Sequence, residues 1–263
     1  MRLDADLLLS AALAAGLQPA SIVVAPLDAA AGPVTLEPDL PLYPASMIKV
    51  PLAAAVLAEI ALGHLPPLDS TVTVEESNMT ANDAASPMAP GYEARLRELM
   101  WLSIARSDNV ATNVLFDVVG RERATEIARD RFGLRATAFH RKLSGSEPLI
   151  EDPQWDGVHR NTHPASDCAH LLRSIAENTV AHAALLREML AAQEWNNKLN
   201  GGMLSWDRFA HKTGDTSEVT HDGGILATGE GKRFVVVVYT GLSSTDENNA
   251  RFAPFMRRVR ELL

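Results

Sequence analysis

The spacing of apolar residues changes period along the chain, and the changes mark out its elements. Residues 7–15 are almost wholly apolar and stop at Gly16, which predicts a first helix over 1–16. Residues 20–26 (Ala-Ser-Ile-Val-Val-Ala-Pro) and 33–37 (Pro-Val-Thr-Leu-Glu) read as two short strands, joined into a hairpin by Ala29-Ala30-Ala31-Gly32. After the turn residues Pro41 and Pro44, the run Val50, Leu52, Ala53, Ala54, Ala55, Val56, Leu57, Ile60 carries no polar break and predicts a helix ending near Gly63. Residues 66–98, rich in Pro, Ser, Asn and Met, read as irregular surface chain.

Helical spacing then returns at 95–105, 110–119 and 121–131, and again at 164–177 and 180–193. Between these groups lies a loop, 141–161, with turn chemistry at Ser144-Gly145-Ser146 and Asp152-Pro153; loops of that length inside compact domains usually carry function. The last seventy residues read as strands at 209–212, 221–227 and 233–240, then an amphipathic helix over 247–263. Strands at both ends with helices between predict an α+β fold. One antiparallel sheet is shared by about 1–50 and 200–263, and a helical subdomain, about 51–199, is inserted in a single catalytic domain.

Composition narrows the class. At 263 residues, with 46% hydrophobic and 22% charged residues, the chain can bury a large core. A net charge of −9 argues against nucleic acid or an anionic membrane as partner. No run of eighteen apolar residues predicts a membrane span. The apolar start carries Asp4 and Asp6 against Arg2, unlike the basic front of a secretory signal, so it reads as fold rather than leader. The compartment stays open: periplasmic or secreted if an upstream signal has been removed, otherwise cytoplasmic. The single cysteine, Cys168, excludes an intrachain disulfide and reads as a buried thiol. The eight histidines show no metal-ligand spacing, and no metal or other cofactor is expected; His211 and His221 could pair across adjacent strands. A monomer acting on a small molecule is the expected form.

The chemistry concentrates first at Tyr43-Pro44-Ala45-Ser46-Met47-Ile48-Lys49. Ser46 stands where a helix begins and Lys49 lies one turn on, on the same face. A serine hydroxyl needs a base to become a nucleophile, and a lysine amine desolvated by the apolar helix can serve. Unsatisfied N–H groups at the helix start could hold an oxyanion. Alone, Ser-x-x-Lys is weak and is more often a helix cap beside a solvated lysine. Two further triplets raise it: Ser107-Asp108-Asn109 between two helices, and Lys212-Thr213-Gly214 on a strand running into a turn. Each is common by chance; all three in this order and context are a strong signal.

With these motifs the sequence resembles the class A β-lactamase and penicillin-binding serine hydrolase family. The resemblance runs from the Ser46 helix to the end of the chain and includes Asn113 and the turn Asn161-Thr162-His163-Pro164. It implies that Ser46 is the acylated nucleophile and Lys49 its proton partner. Ser107 would pass a proton to the leaving nitrogen, and Asn109 would bond the substrate's amide side chain. Lys212 and Thr213 would take the substrate carboxylate, with Gly214 beside them, and the N–H groups of Ser46 and Asp215 would form the oxyanion hole.

The family's deacylating glutamate is the point of departure. Counting forward from Ser107, Arg141 takes the loop arginine's place and Leu143 the glutamate's. Counting back from Asn161, Glu147-Pro148 falls at the Glu-Pro pair and Glu151 at the partner asparagine. With Glu147 as base the expectation is a β-lactamase. Without one, the acyl-enzyme persists, and the expectation is a D-alanyl peptidase or small-ester hydrolase, or a non-turnover penicillin-binding sensor. A scaffold that kept the fold and lost activity is disfavoured by the intact Ser46, Lys49, Ser107 and Lys212.

Overall fold

The computed structural model describes residues 2–28, 31–82, 84–145 and 150–263. Its centre is a five-stranded antiparallel sheet in the order β2-β1-β7-β6-β5, with β1 Ala20–Pro26, β2 Val34–Leu36, β5 Arg208–Asp215, β6 Thr220–Ala227 and β7 Arg233–Thr240. The unbroken apolar run of β7 makes it the middle strand, covered on both faces. Val235, Val237 and Tyr239 join one core and Phe234, Val236 and Val238 the other, as the two-residue period of a strand requires.

The second core lies under α1 (Ala5–Ala15) and α9 (Phe252–Leu262), the two ends of the chain. Asp4 caps α1 by accepting from the Leu7 N–H at 2.9 Å, and Gly16 stops it with φ of +70°. The first core lies beneath α2 (Lys49–Ala61), α3 (Leu96–Ala105), α4 (Asn109–Val119), α5 (Arg121–Asp130), α6 (Ala165–Ala176) and α7 (Ala183–Ala191). Helix α2 is buried on every face from Lys49 to Glu59 because it runs through the middle of this layer, and those two are its only charged residues.

The α+β architecture is the one expected, with three local corrections. The stretch taken as irregular holds a two-stranded ribbon, β3 (Thr71–Thr73) with β4 (Glu93–Arg95). Each strand offers one apolar position, Val72 opposite Ala94, too few to show a period. Strand β5 continues past Lys212 to Asp215, because its polar residues are buried rather than turned outward. The final helix breaks in two: Thr245 caps a short α8 (Asp246–Ala250), and α9 restarts at Phe252. The long loop closes at its neck through paired backbone bonds of Ala138 and Thr162, both 3.0 Å. Asn161 reinforces the neck, accepting from the His140 and Arg141 N–H groups and donating to the Arg141 carbonyl.

Candidate active site

Ser46 lies on a single turn of 3-10 helix, Ala45–Ile48, that feeds directly into α2. Ala45 enters the turn in the left-handed region, φ +48°, a conformation that costs an alanine about 1–3 kcal/mol and persists only where the surroundings impose it. They do so from two sides. The His221 Nε2 faces the Tyr43 carbonyl at 2.8 Å, and the edge of β5 presses against the turn at Gly214. A Cβ at position 214 would stand 3.1 Å from the Pro44 carbonyl oxygen and 3.2 Å from the Ser46 nitrogen, so any side chain there would push strand and turn apart by a few tenths of an ångström.

Ser107 occupies the second strained position, φ +61°, between α3 and α4. The connection is pinned on both sides: the Asp108 N–H returns to the Leu102 carbonyl at 3.0 Å, and the Asp108 carboxylate caps α4 through the Ala111 N–H at 2.9 Å. From outside, the Glu194 N–H and Trp195 indole N–H donate to the Ala105 and Arg106 carbonyls. The Lys49 amine, fully buried, reaches this corner. It donates to the Ser107 carbonyl at 2.5 Å, to Asn109 Oδ1 at 2.8 Å and to Ser107 Oγ at 3.1 Å. Asn109 Nδ2 donates to the Ala81 carbonyl at 2.9 Å, which turns the amide oxygen toward Lys49.

A cleft of about 660 Å³ brings Ser46, Ser107, Asn109, Thr213 and Asp215 onto one surface with Leu143. Lys212 is buried, its amine donating to the Thr213 carbonyl at 2.8 Å. Strand β5 is the sheet's edge. The Thr216 N–H bonds the Val219 carbonyl at 2.9 Å, so by alternation the Asp215 N–H points away from β6 and toward the Ser46 turn. The Asp215 side chain is held by a residue that motif reading passed over, Lys198: its amine lies 2.6 Å from Asp215 Oδ1 and also bonds the His221 carbonyl at 3.1 Å. Nothing in the run Asn196-Asn197-Lys198-Leu199 marks it, since its role comes from folding back onto β5 and β6. Burial alone would raise the Asp215 carboxyl, but the Lys198 ammonium and the Ser244 and Thr220 hydroxyls bring it below its ordinary value.

The loop wall is set by Asn113 on α4. Its Oδ1 accepts the Leu143 N–H at 2.8 Å and its Nδ2 donates to the Leu143 carbonyl at 2.9 Å, so one side chain grips one residue's backbone on both sides. Asp152 ties the loop's return to α5 through Arg121 and accepts the Lys142 N–H at 2.8 Å. Glu147 lies outside the described residues, and Glu151 is exposed.

The expected pairing of His211 with His221 is not found. They sit opposite Gly224 and Gly214 in the β5–β6 register, three rungs apart. His211 Nδ1 lies 2.8 Å from Asp222 Oδ1. His221 accepts the Thr240 N–H on Nδ1 at 3.1 Å, which leaves Nε2 to carry the proton toward Tyr43. Burial lowers its pKa to about 4. Cys168 is the buried thiol expected, its pKa pushed up to about 12 by burial. Among the described residues no group of three or more His, Cys, Asp or Glu side chains is placed to hold a metal, and no helix is long and apolar enough to cross a membrane.

Fold and site together define a serine β-lactamase-like hydrolase, and comparison with known proteins agrees. The sequence model of the β-lactamase enzyme family matches residues 8–259, and the chain belongs to that family. It is 27% identical over 209 residues to the extended-spectrum β-lactamase PER-1 of Pseudomonas aeruginosa, covering 74% of this chain and 66% of that one. Among solved structures, an ancestral class A β-lactamase superposes with a TM-score of 0.82 at 25% identity, covering 98% of this chain and 99% of the other. The acyl-enzyme complex of a single-residue mutant of PBP-A with penicillin G gives 0.82 at 23% identity, covering 97% and 95%, a likeness of fold.

Proposed function

We propose that the protein opens the β-lactam amide through an acyl-Ser46 intermediate. Lys49 takes the Ser46 proton as the hydroxyl attacks the carbonyl carbon, and the N–H groups of Ser46 and Asp215 receive the oxyanion. Ser107 then delivers its hydroxyl proton to the leaving nitrogen and takes in its place the proton held on Lys49, 3.1 Å away, while Asn109 bonds the substrate's amide side chain and Lys212 and Thr213 its carboxylate. The observation that carries this reading is the Lys49 amine. It is buried and bonded at once to Ser107 Oγ and Asn109 Oδ1, in a corner that opens on the cleft lined by Ser46.

A second reading has its own support. Asn113 fixes the backbone of Leu143 at the cleft wall, which favours the forward count, with an apolar side chain where the family carries its water-activating glutamate. On that reading acylation is fast and release slow, and the natural substrate is a D-alanyl peptide or small ester. Stopped-flow mixing with nitrocefin, beside a p-nitrophenyl ester assay, separates the two. Steady turnover that Glu147→Gln abolishes, with trapped acyl-enzyme, supports the lactamase. A single stoichiometric burst that Glu147→Gln leaves unchanged supports the peptidase or esterase.

A further inference from the structure

The Asp215 carboxylate is used on one side only. Its Oδ1 accepts from Lys198 Nζ at 2.6 Å, Ser244 Oγ at 2.6 Å and Thr220 Oγ1 at 3.1 Å. Its Oδ2 has no donor among the described residues, and the side chain, 30% exposed, lines the cleft. The two short donors, Lys198 and Ser244, restrict the rotation of the group before any ligand arrives, with the Thr220 hydroxyl shared between this oxygen and Asn249 Oδ1 at 2.7 Å, so the other oxygen is a preorganised acceptor. Asp215 also stands two residues after Thr213, on the same face of an edge strand, so the two side chains sit about 7 Å apart along it.

We infer that Asp215 selects substrates that carry a positive charge next to the carboxylate taken by Lys212 and Thr213. This rests on the acyl-Ser46 reading for the identity of the carboxylate pocket. The substrate class is then a zwitterion in its leaving-group half: an anionic carboxylate toward Thr213 and a cation toward Oδ2. The Asp215 carboxyl is held in its ionised form by the Lys198 ammonium and the two hydroxyls, so the acceptor keeps its charge at neutral pH. Lys198 compensates part of that charge at longer range. The preference for a cation is therefore a short-range one, set at Oδ2 and weakened by salt.

Cephaloridine and cephalothin make a matched pair for the test. They share the thienylacetyl side chain, the ring system and the carboxylate, and differ at the adjoining C3′ position, pyridinium against acetoxy. Binding is measured by calorimetry on Ser46→Ala protein, which removes acylation from the readout. The expected result is cephaloridine bound at least threefold tighter. In Ser46→Ala/Asp215→Asn protein the ratio falls to about one, and in the Ser46→Ala protein it shrinks as ionic strength rises. A ratio near one at low salt, no binding of either compound, or a preference that survives Asp215→Asn would overturn the inference. If the double variant does not fold, a salt-independent ratio in the single variant overturns it equally. The wild-type acylation assay stands apart: no acyl adduct with the ratio intact would sink the acyl-Ser46 mechanism and leave Asp215 as the selector of a bound zwitterion.

Discussion

On one side of the cleft, Ser46, Lys49, Ser107 and Thr213 are carried on the ends of buried helices and a sheet edge, and several independent contacts fix each turn. On the other side, Leu143 packs into the core with its backbone gripped by the Asn113 side chain, and its neighbours are tied by Lys142 to Asp117, Gly145 to Thr80 and Asp152 to Arg121. On the proposed mechanism the first wall makes the acyl-enzyme and the second decides how long it lasts. The physical difference is in what does the holding: Ala45 and Ser107 sustain left-handed backbone because the elements packed around them impose it, whereas the loop wall is set by individual side-chain bonds, each of which a single substitution removes.

The comparison breaks most sharply at Ser46. Ser46→Ala is expected to lower turnover of any acylating substrate by about a thousandfold or more, read as kcat with nitrocefin, because nucleophile and proton partner act as a unit. Leu143→Glu tests the other wall. On the slow-release reading a carboxylate there gives the acyl-enzyme a general base, and deacylation should rise by about a hundredfold while the acylation rate changes only a few-fold, measured by single-turnover mass spectrometry; with Glu147 already the base, no such gain is expected.

Asn113→Ala comes next. It strips the partners from the Leu143 N–H and carbonyl, each worth about 1–3 kcal/mol when left buried and unpaired. The melting temperature should fall by several degrees in scanning calorimetry, with deacylation changed more than acylation. Failure of the loop wall with intact acylation is the signature that separates the two sides.

The smallest effect is on pH. Buried His163 and His221 have pKa values lowered to about 3 and about 4 by desolvation, against an ordinary 6.5. Between those values the unfolded chain binds the protons and the folded chain does not. The stability they contribute is therefore complete above about pH 6.5 and lost as pH falls toward 4 and then 3. Protonating His221 also puts a hydrogen on Nδ1, where the Thr240 N–H now donates, and so weakens the support behind Tyr43 and Ser46. His221→Gln should flatten the decline in melting temperature between pH 6.5 and 4, followed by calorimetry across that range.

What could be read from the chain follows the same division. The wall that carries Ser46 was legible because its residues sit in short motifs at the boundaries of strongly periodic elements: the unbroken apolar run after Lys49, the two helices around Ser107, the strand before Gly214. The fold was legible for the same reason, with β7 and α2 the clearest signals. The ribbon β3–β4 was not, since three-residue strands show no period, and the break between α8 and α9 depends on the Thr245 cap. Lys198 was missed because a lone lysine after two asparagines carries no local signal, and its meaning arises from contact with Asp215 across 17 residues. The loop could be counted from either end because an insertion has no periodicity to place it; Asn113 reaching Leu143 is a tertiary fact.

The central claim is that Ser46 carries the acyl group. Peptide mapping by mass spectrometry after a brief pulse of penicillin G tests it most directly. The account predicts one added penicilloyl mass on the peptide that contains Ser46, absent from the Ser46→Ala protein. An adduct on any other residue, or none at any time from milliseconds to minutes, would contradict it.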